Sequence, residues 1–86
     1  MYKIAVVGDY DSIYGFATLG LSICPVRNRE EIRDRLRSLA EEKYGIIYIT
    51  EAAAAEVSDE LEMYREKTLP AIIQVPGGSG NTGAGV

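Results

Sequence analysis

Two short runs in the sequence are apolar at every position, and they constrain the fold more than any other feature. Residues 4–7 read IAVV and residues 46–49 read IIYI. Strands with one face in water alternate apolar and polar residues, whereas the strands of a parallel sheet are covered on both faces and do not alternate. The two runs therefore predict central strands of a parallel sheet with helices on both sides, which is an α/β architecture.

Two further strands and the intervening helices complete the predicted order β-α-β-α-β-α-β. Residues 21–24 predict a short strand that Pro25 ends, and their alternation favours a position at the sheet edge. Residues 71–75 lie between two prolines and predict the fourth strand. We expect the first helix to end at Gly20, because glycine adopts a left-handed conformation without strain. The helices are predicted to begin after side chains that can cap a first turn, namely Ser12, Asn28, Thr50 and Ser58.

The length and the charge balance limit the classes of function. Eighty-six residues suffice for one domain, which we place at residues 1–76, and the glycine-rich segment 77–86 is expected to be a flexible tail. Acidic residues exceed basic ones by 13 to 9, and the net charge of −4 argues against nucleic acid or an anionic membrane as the main partner. A single cysteine, no signal-like start and no long apolar run predict a cytoplasmic protein without direct membrane insertion.

The side chains offer no pattern typical of a catalytic, cofactor or metal site. The chain has no histidine, and Cys24 at an apolar strand end is expected to be a buried structural thiol. The first turn, residues 8–15, lacks the G-x-G-x-x-G spacing of a dinucleotide site and places Asp9 and Asp11 where a phosphate would lie. The glycine-rich tail lacks the lysine of a P-loop.

Asp9 and Asp11 also follow the first strand in the way that the acidic cluster of a phosphoacceptor receiver domain does. The remainder of that pattern is missing, because the third predicted strand ends in Thr50 and Glu51 instead of an aspartate and no fifth strand is predicted. We therefore interpret both aspartates as turn formers in preference to magnesium ligands. A small acidic domain of this kind is expected to act by binding another protein.

The helix after Asn28 carries three arginines, Arg29, Arg33 and Arg37, away from its apolar stripe. Acidic residues are interspersed with them, so a solvated face is the simpler interpretation. An arginine-rich contact surface is the alternative, and the sequence leaves both open.

Three blocks of the sequence closely resemble the F subunit of the V-type and archaeal A-type ATPases. They are MYKIAVVGDYDSIYGFATLGL at residues 1–21, YGIIYITE at residues 44–51 and PAIIQVPGGSGNTG at residues 70–83. Their order and spacing match over both ends and the middle of the chain. The resemblance implies a Rossmann-like, flavodoxin- or receiver-like fold: a four-stranded parallel sheet of order 2-1-3-4 flanked by helices.

The resemblance also implies a function. The F subunit is a non-catalytic part of the central stalk that binds the coiled coil of the D subunit, turns with it and makes transient contact with the catalytic head. It would lie on the cytoplasmic side, peripheral to the membrane, in a complex that couples ATP hydrolysis or synthesis to proton or sodium transport. Members commonly continue into a C-terminal helix, which we do not expect within these 86 residues. The alternative is a small flavodoxin-like ligand-binding domain.

We predict that the partner binds at the carboxyl ends of the strands and the adjoining loops, because ligands of open parallel sheets favour that edge. Eight residues are assigned to this surface: Asp9, Ser12, Tyr14, Cys24, Pro25, Thr50, Glu51 and Pro76.

Overall fold

The computed structural model describes residues 3–76, in which strands and helices alternate along the chain. The strands are β1 (Lys3–Gly8), β2 (Ser22–Pro25), β3 (Tyr44–Thr50) and β4 (Ala71–Val75). The helices are α1 (Tyr10–Ile13), a 3₁₀ helix that continues it (Tyr14–Leu19), α2 (Arg29–Glu41), α3 (Glu51–Glu56) and α4 (Ser58–Arg65). The predicted tail, residues 77–86, lies outside the described residues, and the domain boundary at residue 76 stays a prediction.

The four strands form one parallel sheet in the order β2-β1-β3-β4, so the predicted topology is confirmed. Both uninterrupted apolar runs belong to its two central strands. The short strand β2 lies at an edge, as its alternation indicated, but it includes Pro25 instead of ending before it. Pairing continues past the proline, because the Val26 amide donates to the Gly8 carbonyl over 2.9 Å.

The core lies on one face of the sheet, which we call the closed face. Here Ala5 and Val7 of β1 and Ile47 and Ile49 of β3 are fully buried. Helices α2, α3 and α4 cover this face. The principal side chains that these helices and their connections contribute to the core are Ile32, Leu36, Leu39, Ala53, Ala54 and Val57.

The opposite face is covered over β1 and β2 by α1 and the 3₁₀ helix. The packing there is tight at Gly8, where an added Cβ would lie 2.5 Å from Thr50 Cγ2 and 2.9 Å from Ile13 Cγ2. Real Cβ atoms do not make contacts that close, so a glycine is needed at position 8 for Ile13 to reach the sheet. Ile13 is fully buried as a result.

Two of the four predicted helix caps are confirmed. The Asn28 side chain accepts from the Glu31 amide at the start of α2 over 2.9 Å, and Thr50 Oγ1 accepts from the Ala53 amide at the start of α3 over 3.2 Å. The predicted end of the first helix is also confirmed, since Gly20 has a left-handed φ of 84°.

The predictions for Ser12 and Ser58 were wrong. Helix α1 begins at Tyr10 with Asp9 as its cap, because the Asp9 carboxylate reaches the Ser12 amide. At α4 the cap position is Val57, whose side chain has no capping hydrogen bond, and Ser58 is the first helical residue. Val57 is fully buried at the junction of α3 and α4, so packing and not capping sets the start of α4.

The arginine face of α2 has an intramolecular role that neither interpretation of the sequence included. Arg33 and Arg37 form ion pairs with Glu60 of α4, at 3.7 and 3.3 Å. Arg33 also lies 3.6 Å from Asp59, and Arg29 lies 4.0 Å from Glu56 of α3. These arginines therefore hold α2 against α3 and α4.

No helix within residues 3–76 is long and apolar enough to cross a membrane.

Candidate partner-binding surface at the strand ends

The carboxyl ends of all four strands lie at one edge of the sheet, because every strand runs in the same direction. Gly8 pairs with Pro25, and Thr50 pairs with Val75, so the strands end at the same level. The eight predicted residues lie at these strand ends or in the segments that directly follow them. The structure thus brings them to one edge, while their role in binding stays a prediction.

These eight residues divide by exposure into a surface group and a supporting group. Tyr14, Pro25, Glu51 and Pro76 are exposed, and Asp9 and Ser12 are half-buried. Cys24 and Thr50 are buried, so their side chains have little surface to offer a partner. A partner at this edge would contact the exposed group, and the buried pair would position it.

The polar groups of the first turn are engaged within the chain. Asp9 Oδ2 accepts from the Ser12 amide at 3.2 Å and from Ser12 Oγ at 3.0 Å. The carboxylate therefore occupies the first turn of α1, and a phosphate approaching that turn would meet a negative charge. This geometry confirms the interpretation of Asp9 as a turn former. Within residues 3–76, no cluster of three or more acidic or cysteine side chains could hold a metal ion.

The two buried residues, Thr50 and Cys24, support the strand-end edge from inside the fold. Thr50 caps α3 with its hydroxyl and packs its methyl group beside Gly8, which joins β1, β3 and α3 at one point. Burial raises the pKa of the Cys24 thiol, with smaller opposing effects of the Arg35 charge, which lowers it, and the Glu42 charge, which raises it. The thiol therefore stays protonated at neutral pH and is a poor nucleophile, as expected for a structural cysteine.

Two aromatic side chains form the most prominent feature of this edge, and the sequence prediction included only one of them. The rings of Tyr10 and Tyr14 stack with centroids 5.6 Å apart and planes 18° from parallel. Both are more than half exposed, at 58% and 56%. Exposed tyrosines are frequent anchors of protein interfaces, because they bury a large area for little conformational entropy. The spacing of four residues in a helical turn was the signal that could have identified Tyr10.

A shallow cleft of about 360 Å³ opens between α2 and α3, and of the predicted edge residues Asp9 and Thr50 line it. Its lining includes Asp9, Arg27, Arg29 and Glu56, so charges of both signs lie around it. Such a lining differs from the mostly apolar, enclosed pockets that bind small cofactors.

The chain has a consistent set of relatives among known proteins. A family model described as ATP synthase (F/14-kDa) subunit matches residues 4–86. The V-type ATP synthase F subunit of Fusobacterium nucleatum is 36% identical over 86 residues, which cover 100% of this chain and 82% of the relative. The V-type F subunit of Clostridium perfringens is 40% identical over 86 residues, covering 99% and 82%.

Similarity extends to an archaeal relative and to a solved structure. The A-type ATP synthase F subunit of Methanosphaera stadtmanae is 40% identical over 80 residues, covering 91% of this chain and 76% of the relative. The crystal structure of the V-type ATP synthase F subunit from Archaeoglobus fulgidus matches with a TM-score of 0.73 and 26% identity, covering 86% of this chain and 96% of that chain.

Proposed function

Because the chain belongs to the ATP synthase (F/14-kDa) subunit family, we propose that it is a non-catalytic central-stalk component of a V/A-type rotary ATPase. In this role it binds the coiled coil of the D subunit and makes transient contact with the catalytic head. The complex couples ATP hydrolysis or synthesis to proton or sodium transport, and this protein stays on the cytoplasmic side, peripheral to the membrane. The observation that carries the proposal is the match to V-type and A-type F subunits along nearly the whole chain.

The geometry of the strand-end edge supports a protein partner over a small ligand. The carboxylate at the first turn already accepts two hydrogen bonds from within the chain, and a stacked pair of tyrosines is more than half exposed. Exposed aromatic, proline and carboxylate side chains along one edge of the sheet form a surface that can dock on a helix. We assign the contact to Tyr14, Pro25, Glu51 and Pro76, with Asp9, Ser12, Cys24 and Thr50 holding them in place.

A rotor protein must also resist deformation when torque passes through it. The closed face supplies this stiffness, because α2 and α4 are joined both by the core and by the ion pairs of Glu60 with Arg33 and Arg37. Interiors packed in this way have low compressibility and transmit strain.

Binding to the D subunit of the same complex tests the proposal. The two proteins are co-expressed and purified through a tag on the coiled-coil partner, and we expect this chain to co-elute at 1:1. Replacing Tyr14 by Ala or Glu51 by Lys should weaken the interaction. Glu62→Lys is the matched control, because it makes the same charge change at an exposed position on α4. Equal affinities for Glu51→Lys and Glu62→Lys would move the interface away from the strand ends.

Ligand titration distinguishes the alternative function. If the chain were a flavodoxin-like ligand-binding domain, adding ATP, FMN or magnesium would produce a saturable shift of its amide resonances. We expect no saturable shift at micromolar ligand, together with formation of the complex with the D subunit. Tight FMN binding without any complex would refute the proposed function.

A further inference from the structure

The half of the sheet formed by β3 and β4 has an apolar surface on the side away from α2, α3 and α4. We call this surface the open half-face, and define it by five side chains: Ile46, Tyr48, Ala71, Ile73 and Val75. None of them carries a charge, and the Tyr48 hydroxyl is their only polar group. None is fully buried, and Ile73 is 43% exposed.

The edge strand β4 shows that this apolar surface is not a by-product of core packing. Its residues alternate between faces, and Ile72 packs against the core, so Ile72 and Gln74 lie on the closed face. Ala71, Ile73 and Val75 therefore point to the opposite side. An edge strand with one face in water should place its polar residue outward. β4 instead places three apolar side chains on its outer face and its one polar residue, the exposed Gln74, on the other side, which indicates that something covers the outer face in the working protein.

The topology indicates that the cover is an α-helix. Parallel sheets have helices on both faces, and this chain follows the rule over β1 and β2, where α1 and the 3₁₀ helix lie on the same side as the open half-face. The connection from β3 to β4 runs through α3 and α4 on the closed face. Within residues 3–76, every helix therefore lies on the closed face or over β1 and β2. A helix that covers β3 and β4 on the open side must come from outside this segment.

The dimensions define the helix that would fit. Two adjacent strands present a strip that accommodates one helix, which packs about 10 Å from the sheet. The five residues of β4 extend over roughly 17 Å, the length of about 11 helical residues or three turns. Such a helix needs apolar side chains at i, i+3, i+4 and i+7 and few charges between them on that stripe.

The net charge of the chain distinguishes the candidate partners for the open half-face. The chain carries a net charge of −4, which repels a second copy of itself and an anionic lipid surface alike. A partner helix with basic residues on either side of its apolar stripe would be attracted. The open half-face also ends at Val75, directly before Pro76 of the strand-end edge, so one helix can lie along the first surface and reach the second.

From these observations we infer that the open half-face is the binding site for a helix of the partner coiled coil, one that carries an apolar stripe flanked by basic residues. This inference rests on the proposed function, because it takes the D subunit as the protein that supplies the helix. It adds where that helix lies: along β3 and β4 on the α1 side of the sheet, with one end at Pro76. Ile73, at the centre of β4 and the most exposed isoleucine of the surface, is its principal anchor.

The affinity of the D subunit for variants of this chain tests the inference. Ile73→Glu places a carboxylate under the helix, and we expect the dissociation constant to rise at least about 30-fold, as for the loss of an interface anchor. Met63→Glu is the matched control, since Met63 is 62% exposed on α4, beyond the closed face. It should change the dissociation constant less than about twofold, in line with a residue outside the interface.

A second variant keeps the test valid if the glutamate disturbs β4. An Ile73→Cys variant is coupled to an environment-sensitive fluorophore in the folded state, where Cys24 is buried, and is titrated with the D subunit. We expect a blue shift that saturates at 1:1, and no shift from a dye attached through Met63→Cys. A dye that stays in water at position 73 of a formed complex would overturn the inference.

The outcomes separate this inference from the proposed function. Complex formation that Ile73→Glu and Met63→Glu leave equally tight would refute the helix-binding site and leave the proposed function standing. Failure of the unmodified chain to bind the D subunit would refute both. Sedimentation of the chain alone gives one more outcome: a dimer that Ile73→Glu dissociates would assign the surface to a second copy and overturn the inference.

Discussion

The two faces of this sheet differ in what completes them. The closed face buries Ala5, Val7, Ile47 and Ile49 under three helices of the same chain. The other face is covered by the chain only over β1 and β2, and on β4 it leaves Ile73 nearly half exposed. The first face has the features of a folding core, whereas the second leaves an apolar surface over β3 and β4, which we propose that another protein covers. This difference separates residues that set stability from those that we expect to set binding.

The largest effect on stability should come from the closed face. Leu36→Ala removes a fully buried side chain, and we expect the free energy of unfolding to fall by about 2–5 kcal/mol. Ile73→Ala on the open half-face should lower it by only about 1 kcal/mol, because much of that side chain already contacts water. Urea unfolding monitored by circular dichroism measures both. Equal losses would remove the distinction between the faces.

The close contact of β1 with β3 and α1 provides a second test. Gly8→Ala adds a Cβ within 2.5 Å of Thr50 Cγ2, so α1 or β3 must shift to accommodate it. We expect a loss of about 1–3 kcal/mol, the usual cost of overpacking. Gly15→Ala is the control, because an added Cβ there has no heavy atom within 4 Å. If both variants unfolded at the same urea concentration, the close contact of Ile13 and Thr50 with Gly8 would be disproved.

The ion pairs that join α2 to α4 should have a smaller effect. Glu60 is buried, whereas Arg37 is mostly exposed, so water can solvate the Arg37 charge when the Glu60 carboxylate is removed. Glu60→Gln should therefore lower the free energy of unfolding by about 1–2 kcal/mol, less than for a fully buried pair. Glu62→Gln, at an exposed position, makes the same substitution as a control. Equal urea midpoints for the two variants would contradict a linking role for Glu60.

The smallest effect should be on the pH dependence of stability. Burial raises the pKa of the Cys24 thiol in the folded chain, so the folded state holds this proton more tightly than the unfolded state does. The resulting stability is fully present below the ordinary thiol pKa and is lost as pH rises through the folded-state pKa. Unfolding above about pH 8 should show this loss in the unmodified chain, and Cys24→Ala should reduce it. Identical pH profiles would show that burial of the thiol does not affect its titration.

The sheet could be predicted well from the sequence, because the patterns that indicate strands involve only residues close together in the chain. The apolar runs that identify β1 and β3 depend only on neighbouring residues, and so do the caps at Asn28 and Thr50. The predictions for Ser12 and Ser58 failed because more than one nearby residue could start each helix, and the sequence pattern does not show which one does. Asp9 lay within reach of the same amides, and buried Val57 determined where α4 begins.

Features that depend on distant parts of the chain could not be predicted in this way. The arginines of α2 find their acidic partners 23 or more residues away on α3 and α4, and the sequence alone does not place these helices side by side. The open half-face is a similar case. The run AIIQV in β4 indicates a strand, but only the packing reveals which of its sides has no helix over it.

Hydroxyl-radical footprinting of the complex with the D subunit tests most directly whether the partner completes the open half-face, because it reports the accessibility of individual side chains. We predict that oxidation of Tyr14, Tyr48 and Ile73 falls severalfold on binding, while Met63 on α4 remains as reactive as in the free chain. Protection of Met63 with unchanged oxidation of Tyr48 and Ile73 would contradict this prediction, since the partner would then lie on the helices of the closed face.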